Sequence, residues 1–346
     1  MGAALALAER GRGRTAPNPN VGCVLVKDGR IVGRGWTQAG GRPHAEAVAL
    51  TQAGGESRGA TCHTTLEPCA HRSHRGPACS DLLIGAGVAR VVAGVGDPDP
   101  RTDGGGFERL RAAGIAVEVG VRAEEARRSM AGFLTRRALG RPHVTVKLAT
   151  SLDGRIAMAD GRSRWITGPE ARAHAHLERA RHEAILVGRG TWEADRPRLD
   201  VRLAGLEGRS PRRIVLSSLH PHPSHPLRGR APSLSHRERE GAAEPRKGEG
   251  DWEIIPSPHA VADLQHVDHL LVEGGASAAA AFLRADLVDR LLLYRAPILI
   301  GDGLAALGDI GLADLAHAHG RWRLADARQL GADRLEVYER PPCSPA

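Results

Sequence analysis

Apolar and polar positions along the first 140 residues alternate in short blocks that switch between strand and helix periodicity. Val21–Lys27 (VGCVLVK) and Arg30–Gly35 predict two strands joined by an Asp28-Gly29 turn, a residue pair that tolerates the positive φ of a tight hairpin. His44–Ala53 has helical spacing, Ala60–Leu66 reads as a strand, Asp81–Ala86 as a helix and Ala89–Val95 as an apolar strand. Phe107–Ala113 predicts a further helix and Ile115–Val119 a strand, and Ala123–Leu139 predicts one Arg-rich helix leading into a second domain. Such alternation implies a sheet covered by helices.

A new strand opens at Pro142 (PHVTVKLATSLDG), and buried strands follow at Ala184–Gly188, Arg213–Leu216 and His269–Glu273. Two later strands are expected over Arg290–Leu299 and Arg334–Tyr338, with helices between, so the second half is α/β as well. The expected organisation is a first domain over 1–141 and a second over 142–346. Pro221–Gly250 breaks the pattern: rich in Pro, Gly, Ser and charge, it has no apolar face to offset its ordering entropy, and a disordered insertion is expected there.

Length agrees with two domains, since 346 residues at roughly 100–200 per domain give two. With 41% apolar and 25% charged residues the chain can bury a core, and it has no run of about 18 apolar residues to cross a membrane. Met1–Glu9 is too short, and lacks the basic flank, for a secretory signal, so a cytoplasmic enzyme is expected, with no membrane partner. The net charge of +8 would suggest nucleic acid, but the basic residues are scattered among acids and only three Phe and two Tyr are present to stack on bases. A basic pocket for a phosphorylated small molecule accounts for the charge without a nucleic-acid partner. The five cysteines, Cys23, Cys62, Cys69, Cys79 and Cys343, are an odd number that points to metal or thiol chemistry instead of a disulfide framework.

Candidate chemistry concentrates first at Pro43-His44-Ala45-Glu46, Pro68-Cys69 and Cys79. Zinc takes imidazole and thiolate ligands tetrahedrally, and a catalytic site leaves one position to water, so His44, Cys69 and Cys79 suffice. Glu46, two residues past His44 at a helix start, can approach that water without ligating and act as its proton shuttle. The competing reading is a structural site closed by a fourth ligand, with His71, His74 or Cys62 available, or buried thiols with no metal.

In the second half Lys147 alternates with apolar neighbours on its strand. It either points into a cleft, where it could polarise a sugar carbonyl or imine for hydride attack, or snorkels to water from a strand edge. Leu271-Val-Glu-Gly-Gly-Ala-Ser277 is a buried strand, a glycine turn and an Ala-rich helix, a geometry that can hold pyrophosphate on backbone amides. Glu273 is a site acid or a charge favoured at the helix start.

Taken together, Pro17-Asn18-Pro19-Asn20-Val21-Gly22, His44-Ala45-Glu46 and Thr65-Leu66-Glu67-Pro68-Cys69-Ala70-His71 resemble the deaminase half of the bifunctional riboflavin-biosynthesis deaminase/reductase family. Gly85–Arg90 and Asp97-Pro-Asp-Pro100 extend that likeness. The segments KLATSLDG from Lys147, Ser163-Arg-Trp-Ile-Thr167, Ala184–Gly188 with Thr191, and VEGG from Val272 recur in order in the reductase half. The resemblance implies a cytidine-deaminase-like α/β/α domain followed by a dihydrofolate-reductase-like α/β domain. It implies zinc on His44, Cys69 and Cys79, with Glu46 as proton shuttle and Asn18, Glu67 and His71 lining the pyrimidine pocket. It further implies NADPH on Ala149, Trp165, Thr191, Asp195, Ser218 and Gly275, Ala276, Ser277, Ala278 and Ala279. Ser163, Arg179, Leu199, Arg202 and Glu273 would then face the substrate and Lys147 would polarise it. The implied activity is deamination of a diaminopyrimidinone ribosyl phosphate, then reduction of its ribosyl group to ribityl, by a homo-oligomeric enzyme. An active deaminase with an impaired or structural reductase half, and a nucleic-acid deaminase, are the alternatives; the latter class uses Pro-Cys-x-x-Cys, whereas nine residues separate Cys69 from Cys79 here. The family usually places eight there, and its Asp-Asp-Pro reads Ala194-Asp195-Arg196-Pro197 in this chain. After Ser218 the family continues with a strand–helix unit, and here the polar insertion takes that place, so loss of a strand beside the cofactor is expected.

Overall fold

The computed structural model describes residues 1–71, 75–218 and 252–341, so the predicted insertion Pro221–Gly250 lies outside the described residues. The chain divides into two compact units, one of Met1–His143 with Arg181–Glu183 and Leu264–His269, the other of Val144–Ala180, Ala184–Asp263 and Leu270–Ala346.

The first unit runs α1 (Gly2–Ala8), β1 (Gly22–Lys27), β2 (Arg30–Trp36), α2 (Ala45–Ala53), β3 (Thr61–Leu66), α3 (Cys79–Ala86), β4 (Arg90–Val95), α4 (Gly105–Ala112), β5 (Ala116–Val119), α5 (Ala123–Ser129) and α6 (Ala131–Leu139). Its five strands lie in the order β2-β1-β3-β4-β5. β1 is antiparallel to β2 and β3, whereas β3, β4 and β5 run parallel. The predicted hairpin forms, with Asp28 and Gly29 both at positive φ. Cys23, Leu25, Cys62, Leu83, Val91, Leu110 and Met130 are buried in one core. α1 was not predicted, because seven residues are too few to show a period, yet it buries Ala4, Leu5 and Ala8.

The single helix expected over 123–139 is two. α5 ends and α6 begins around Met130, whose backbone leaves the helical region (φ −104°, ψ 20°) while its side chain sits fully buried. Burial of that side chain overrides the helical propensity of the run. α2, which carries the first site, lies so close to β2 that a Cβ at Gly35 would come 2.0 Å from the Ala45 carbonyl oxygen.

The second unit holds β6 (His143–Thr150), β7 (Arg155–Ala157), α7 (Pro169–Arg179), β8 (Ala184–Gly188), α8 (Arg189–Asp195), β9 (Arg212–Leu216), β10 (Glu253–Ile255), β11 (His269–Glu273), α9 (Ala276–Arg284), β12 (Arg290–Arg295), β13 (Leu304–Ala305), β14 (Arg323–Leu330) and β15 (Asp333–Glu339). Eight strands form one sheet in the order β10-β9-β8-β11-β6-β12-β15-β14, and β13 pairs with β7 apart from it. β10, β9, β8 and β11 are mutually parallel, β12 is parallel to β6, and β12, β15 and β14 are antiparallel. β8 and β11 are buried almost throughout, hence the apolar runs Ala184–Val187 and Leu270–Val272 within them.

Two expectations are corrected here. The sheet does not stop at β9: Glu253, Ile254 and Ile255 pair with Ile214, Val215 and Leu216 as an edge strand, too short to show an alternation in the sequence. The strand expected over 290–299 ends at Arg295, as Ala296-Pro297 turns the chain.

Candidate active sites

In the first unit three elements converge. His44 is the N-cap of α2, with extended backbone angles, Cys79 is the first residue of α3, and Cys69 lies in the loop after β3. Their ligand atoms lie within 4.8 Å of one another. His44 Nδ1 is 3.3 Å from Cys79 Sγ and 3.6 Å from Cys69 Sγ, and the far ring nitrogen Nε2 lies 3.1 Å from Asn18 Nδ2. The Cys79 thiol and its backbone N–H, which donates to Cys69 Sγ over 3.3 Å, pull the Cys69 pKa down to about 4. No fourth ligand joins the group among the described residues: Cys62 Sγ packs 3.5 Å from Cys23 Sγ in the core, and His71 Nδ1 faces Thr102 Oγ1 at 3.4 Å. His74 lies outside the described residues.

Glu46, in the first turn of α2, is 3% exposed, and its Oε1 accepts from Thr64 Oγ1 at 3.3 Å. Burial raises its pKa against the pull of His44. The group opens on a cleft of about 290 Å³ lined by Asn18, His44, Glu46, Glu67, Cys69 and His71 among others. Glu67 lines this cleft, yet its carboxylate is occupied. Oε2 accepts from the backbone N–H of Asp97 and Gly104, and Oε1 from those of Gly106 and Phe107, at 2.9–3.2 Å. It thereby anchors the start of α4 to the end of β3. The sequence reading assigned no role to Asp97, Asp99, Arg101, Arg136 and Arg137, which also line the cleft. Burial pushes the Asp97 carboxyl up to about 6, whereas the Arg101 guanidinium beside Asp99 holds its carboxyl well below the usual range.

In the second unit Lys147 on β6, Glu273 at the end of β11 and Arg179 at the end of α7 meet. Arg179 Nε donates to Glu273 Oε2 at 2.8 Å, and Lys147 Nζ lies 3.7 Å from Glu273 Oε1. Burial alone would raise the Glu273 pKa, but Arg179 and Lys147 together bring it below its ordinary value. Arg179 also reaches the Asp200 carbonyl (3.0 Å), and Arg202 pairs with the Asp200 carboxylate (2.8 Å). Past Glu273 the chain turns through Gly274 and Gly275, both at positive φ, into α9, whose first turn has no side-chain cap. A Cβ at Gly275 would meet Thr191 Oγ1 at 2.8 Å, so only glycine leaves this cradle open. Ala276, Ser277, Ala278 and Ala279 form the first turn of α9, and Ala149 lies on β6 near Lys147.

The remaining candidates are less gathered. Ser163 and Trp165 sit in the exposed loop before α7, with the Arg172 guanidinium 4.8 Å from the Trp165 ring centroid. Asp195 ends α8, and Ser218 is an exposed residue after β9. Leu199 is 5% exposed, packed with Ile185, Val187 and Leu271.

Fold and site define a class: a zinc-binding deaminase domain of the cytidine-deaminase type, joined in one chain to a dihydrofolate-reductase-like α/β domain. The family profile of the cytidine and deoxycytidylate deaminase zinc-binding region matches residues 1–95, and that of the RibD C-terminal domain matches 142–335. The riboflavin biosynthesis protein RibD of Escherichia coli (strain K12) is 42% identical over 361 residues, covering 96% of this chain and 96% of that protein. Its namesake in Aquifex aeolicus is 39% identical, covering 98% and 97%. Among solved structures, Acinetobacter baumannii RibD superposes with a TM-score of 0.78 at 35% identity, over 99% of this chain and 98% of that one. A diaminohydroxyphosphoribosylaminopyrimidine deaminase/5-amino-6-(5-phosphoribosylamino)uracil reductase from Thermotoga maritima gives 0.80 at 34% identity, over 99% and 97%. The chain belongs to the RibD family of riboflavin biosynthesis proteins, and is a bifunctional deaminase and reductase.

Proposed function

We propose that residues 1–141 deaminate the diaminopyrimidinone ribosyl phosphate and that residues 142–346 reduce the ribosyl group of the deaminated product to ribityl with NADPH. The reading places the enzyme in the cytoplasm, as a homo-oligomer, with no nucleic-acid or membrane partner. Among the described residues no helix is long and apolar enough to cross a membrane. The observation that carries the deaminase half is the three-ligand group beside a buried carboxylate in one cleft. One imidazole and two thiolates suit zinc, so His44, Cys69 and Cys79 would hold it. When bound, zinc supplies the Lewis acidity that brings the pKa of water toward about 7. Glu46 carries the first proton of the attacking water to the ring nitrogen and the second to the amine, which leaves as ammonia. Asn18 and His71 orient the pyrimidine, and Glu67 holds the wall behind it.

The uncapped start of α9 and the open glycine cradle fit a pyrophosphate, so Gly275, Ala276, Ser277, Ala278 and Ala279 would hold NADPH with Ala149, Trp165, Thr191, Asp195 and Ser218. When bound, NADPH supplies the hydride. Lys147 polarises the opened first carbon of the sugar. Arg179 and Arg202 take the phosphate, and Ser163, Glu273 and the main chain of Leu199 complete the contacts.

Incubation with the diaminopyrimidinone phosphate, with and without NADPH, followed by mass analysis, tests both halves. Loss of ammonia alone is expected without NADPH, and a gain of two hydrogens with it. Ammonia loss with no further reduction would favour a structural second half, and no ammonia loss at all would end the reading. Glu46→Gln is expected to abolish ammonia release while zinc content, measured by atomic absorption, stays at wild-type level.

A further inference from the structure

Lys147 stands on β6 between β11 and β12. On the β11 side it faces the Glu273 carboxylate, and on the β12 side it faces the ring of Tyr294, whose centroid lies 5.8 Å from Nζ. In the parallel register Leu292 stands beside Lys147 and Tyr294 beside Ala149, so these four side chains share one face of the sheet. Tyr294 is 1% exposed, and its hydroxyl lies 2.8 Å from His174 Nδ1 on α7, the helix that covers this face through Ala171 and Ala175. A phenylalanine would fill nearly the same volume without needing a polar partner. The hydroxyl and its histidine fix the ring's tilt, and the ring's electron-rich face is turned toward a cation.

We propose that Tyr294, pinned by His174, is a positioning residue for Lys147: its ring and the Glu273 carboxylate hold the ammonium from opposite sides and aim it at the carbon being reduced. This rests on the reading of Lys147 as the polarising group. Other charged or titratable groups bear on the same place: Arg179 and His176 on α7 face Glu273, and the Glu178–Arg290 pair (3.1 Å) faces Tyr294.

The test uses the full chain and follows NADPH oxidation with the deaminated phosphate as substrate for Lys147→Met, Tyr294→Leu, Tyr294→Phe and His174→Ala. Tyr294→Leu is expected to lower kcat about tenfold or more, with the KM for NADPH unchanged. Tyr294→Phe and His174→Ala keep the ring and release its tilt, so a loss of kcat of about threefold is expected, again with the KM for NADPH unchanged. A Tyr294→Leu enzyme with wild-type kcat, while Lys147→Met is inactive, overturns the proposal alone. An active Lys147→Met enzyme overturns the reading of Lys147 and the proposal with it. Should Tyr294→Leu fail to bind NADPH, Tyr294→Phe decides, and a wild-type kcat there overturns the proposal.

Discussion

Arg179 shows how much one guanidinium carries in the second unit. It is the main partner of Glu273, a carboxylate 6% exposed, and burial without that partner leaves a charge in a poorly solvating place. Arg179→Met is expected to cost about 3 kcal/mol at neutral pH, read from urea denaturation. The sign with pH follows from the shift. In the wild type the Glu273 pKa is depressed, so its contribution is present above the unfolded carboxylate value and is lost as pH falls through the folded one. In Arg179→Met, protonation of Glu273 relieves the stranded charge, so the gap to wild type should narrow on acidification. Residues differ in how far they could be read from the sequence. Glu46 was legible because its role follows from a two-residue offset to His44 at a helix start. The occupation of Glu67 was not, since its donors Asp97, Gly104, Gly106 and Phe107 come from 30 to 40 positions away. Tyr294 was hidden for the same reason: only the β6–β12 register brings it near Lys147.

Elements were legible where burial imposes a clean period or an unbroken apolar run, as in β1, β8 and β11, and illegible where it does not. β14 reads RLADARQL, mostly exposed; it pairs along its length with β15, and its packing on the core comes through Ala325 and Leu330, too few to show a period. β10 is three residues long, and α1 seven. The break between α5 and α6 depends on where Met130 is buried, which no local pattern carries. Packing between elements has its own test at Gly35, where α2 lies on β2 with no room for a methyl group. Gly35→Ala must push back the helix that carries His44 and Glu46, at a cost of about 1–3 kcal/mol. Lower thermal stability and reduced zinc content at limiting metal are expected, measured by calorimetry and atomic absorption.

At the scale of the molecule, the α/β class and the two chemistries followed from motif order, while two short remote pieces of the first unit could not be read from it. The first compact unit takes in Arg181–Glu183 and Leu264–His269, two pieces remote in sequence. Glu183 in the first of these accepts from the His269 backbone N–H in the second at 2.7 Å, and burial pushes its pKa up to about 7. A raised carboxyl favours the folded state below its unfolded value near 4.5, and that advantage is lost as pH rises to about 7. Wild-type stability should therefore decline across that window. Glu183→Gln should flatten the decline and leave the protein up to about 3 kcal/mol more stable above neutrality, by denaturant titration at several pH values.

The outermost strand of the large sheet also bears on whether this protein could pair with foreign chains. β10 ends the strand order, so among the described residues one backbone edge of it has no neighbouring strand. At three residues, Glu253–Ile255, that edge is too short to template a long intermolecular ladder.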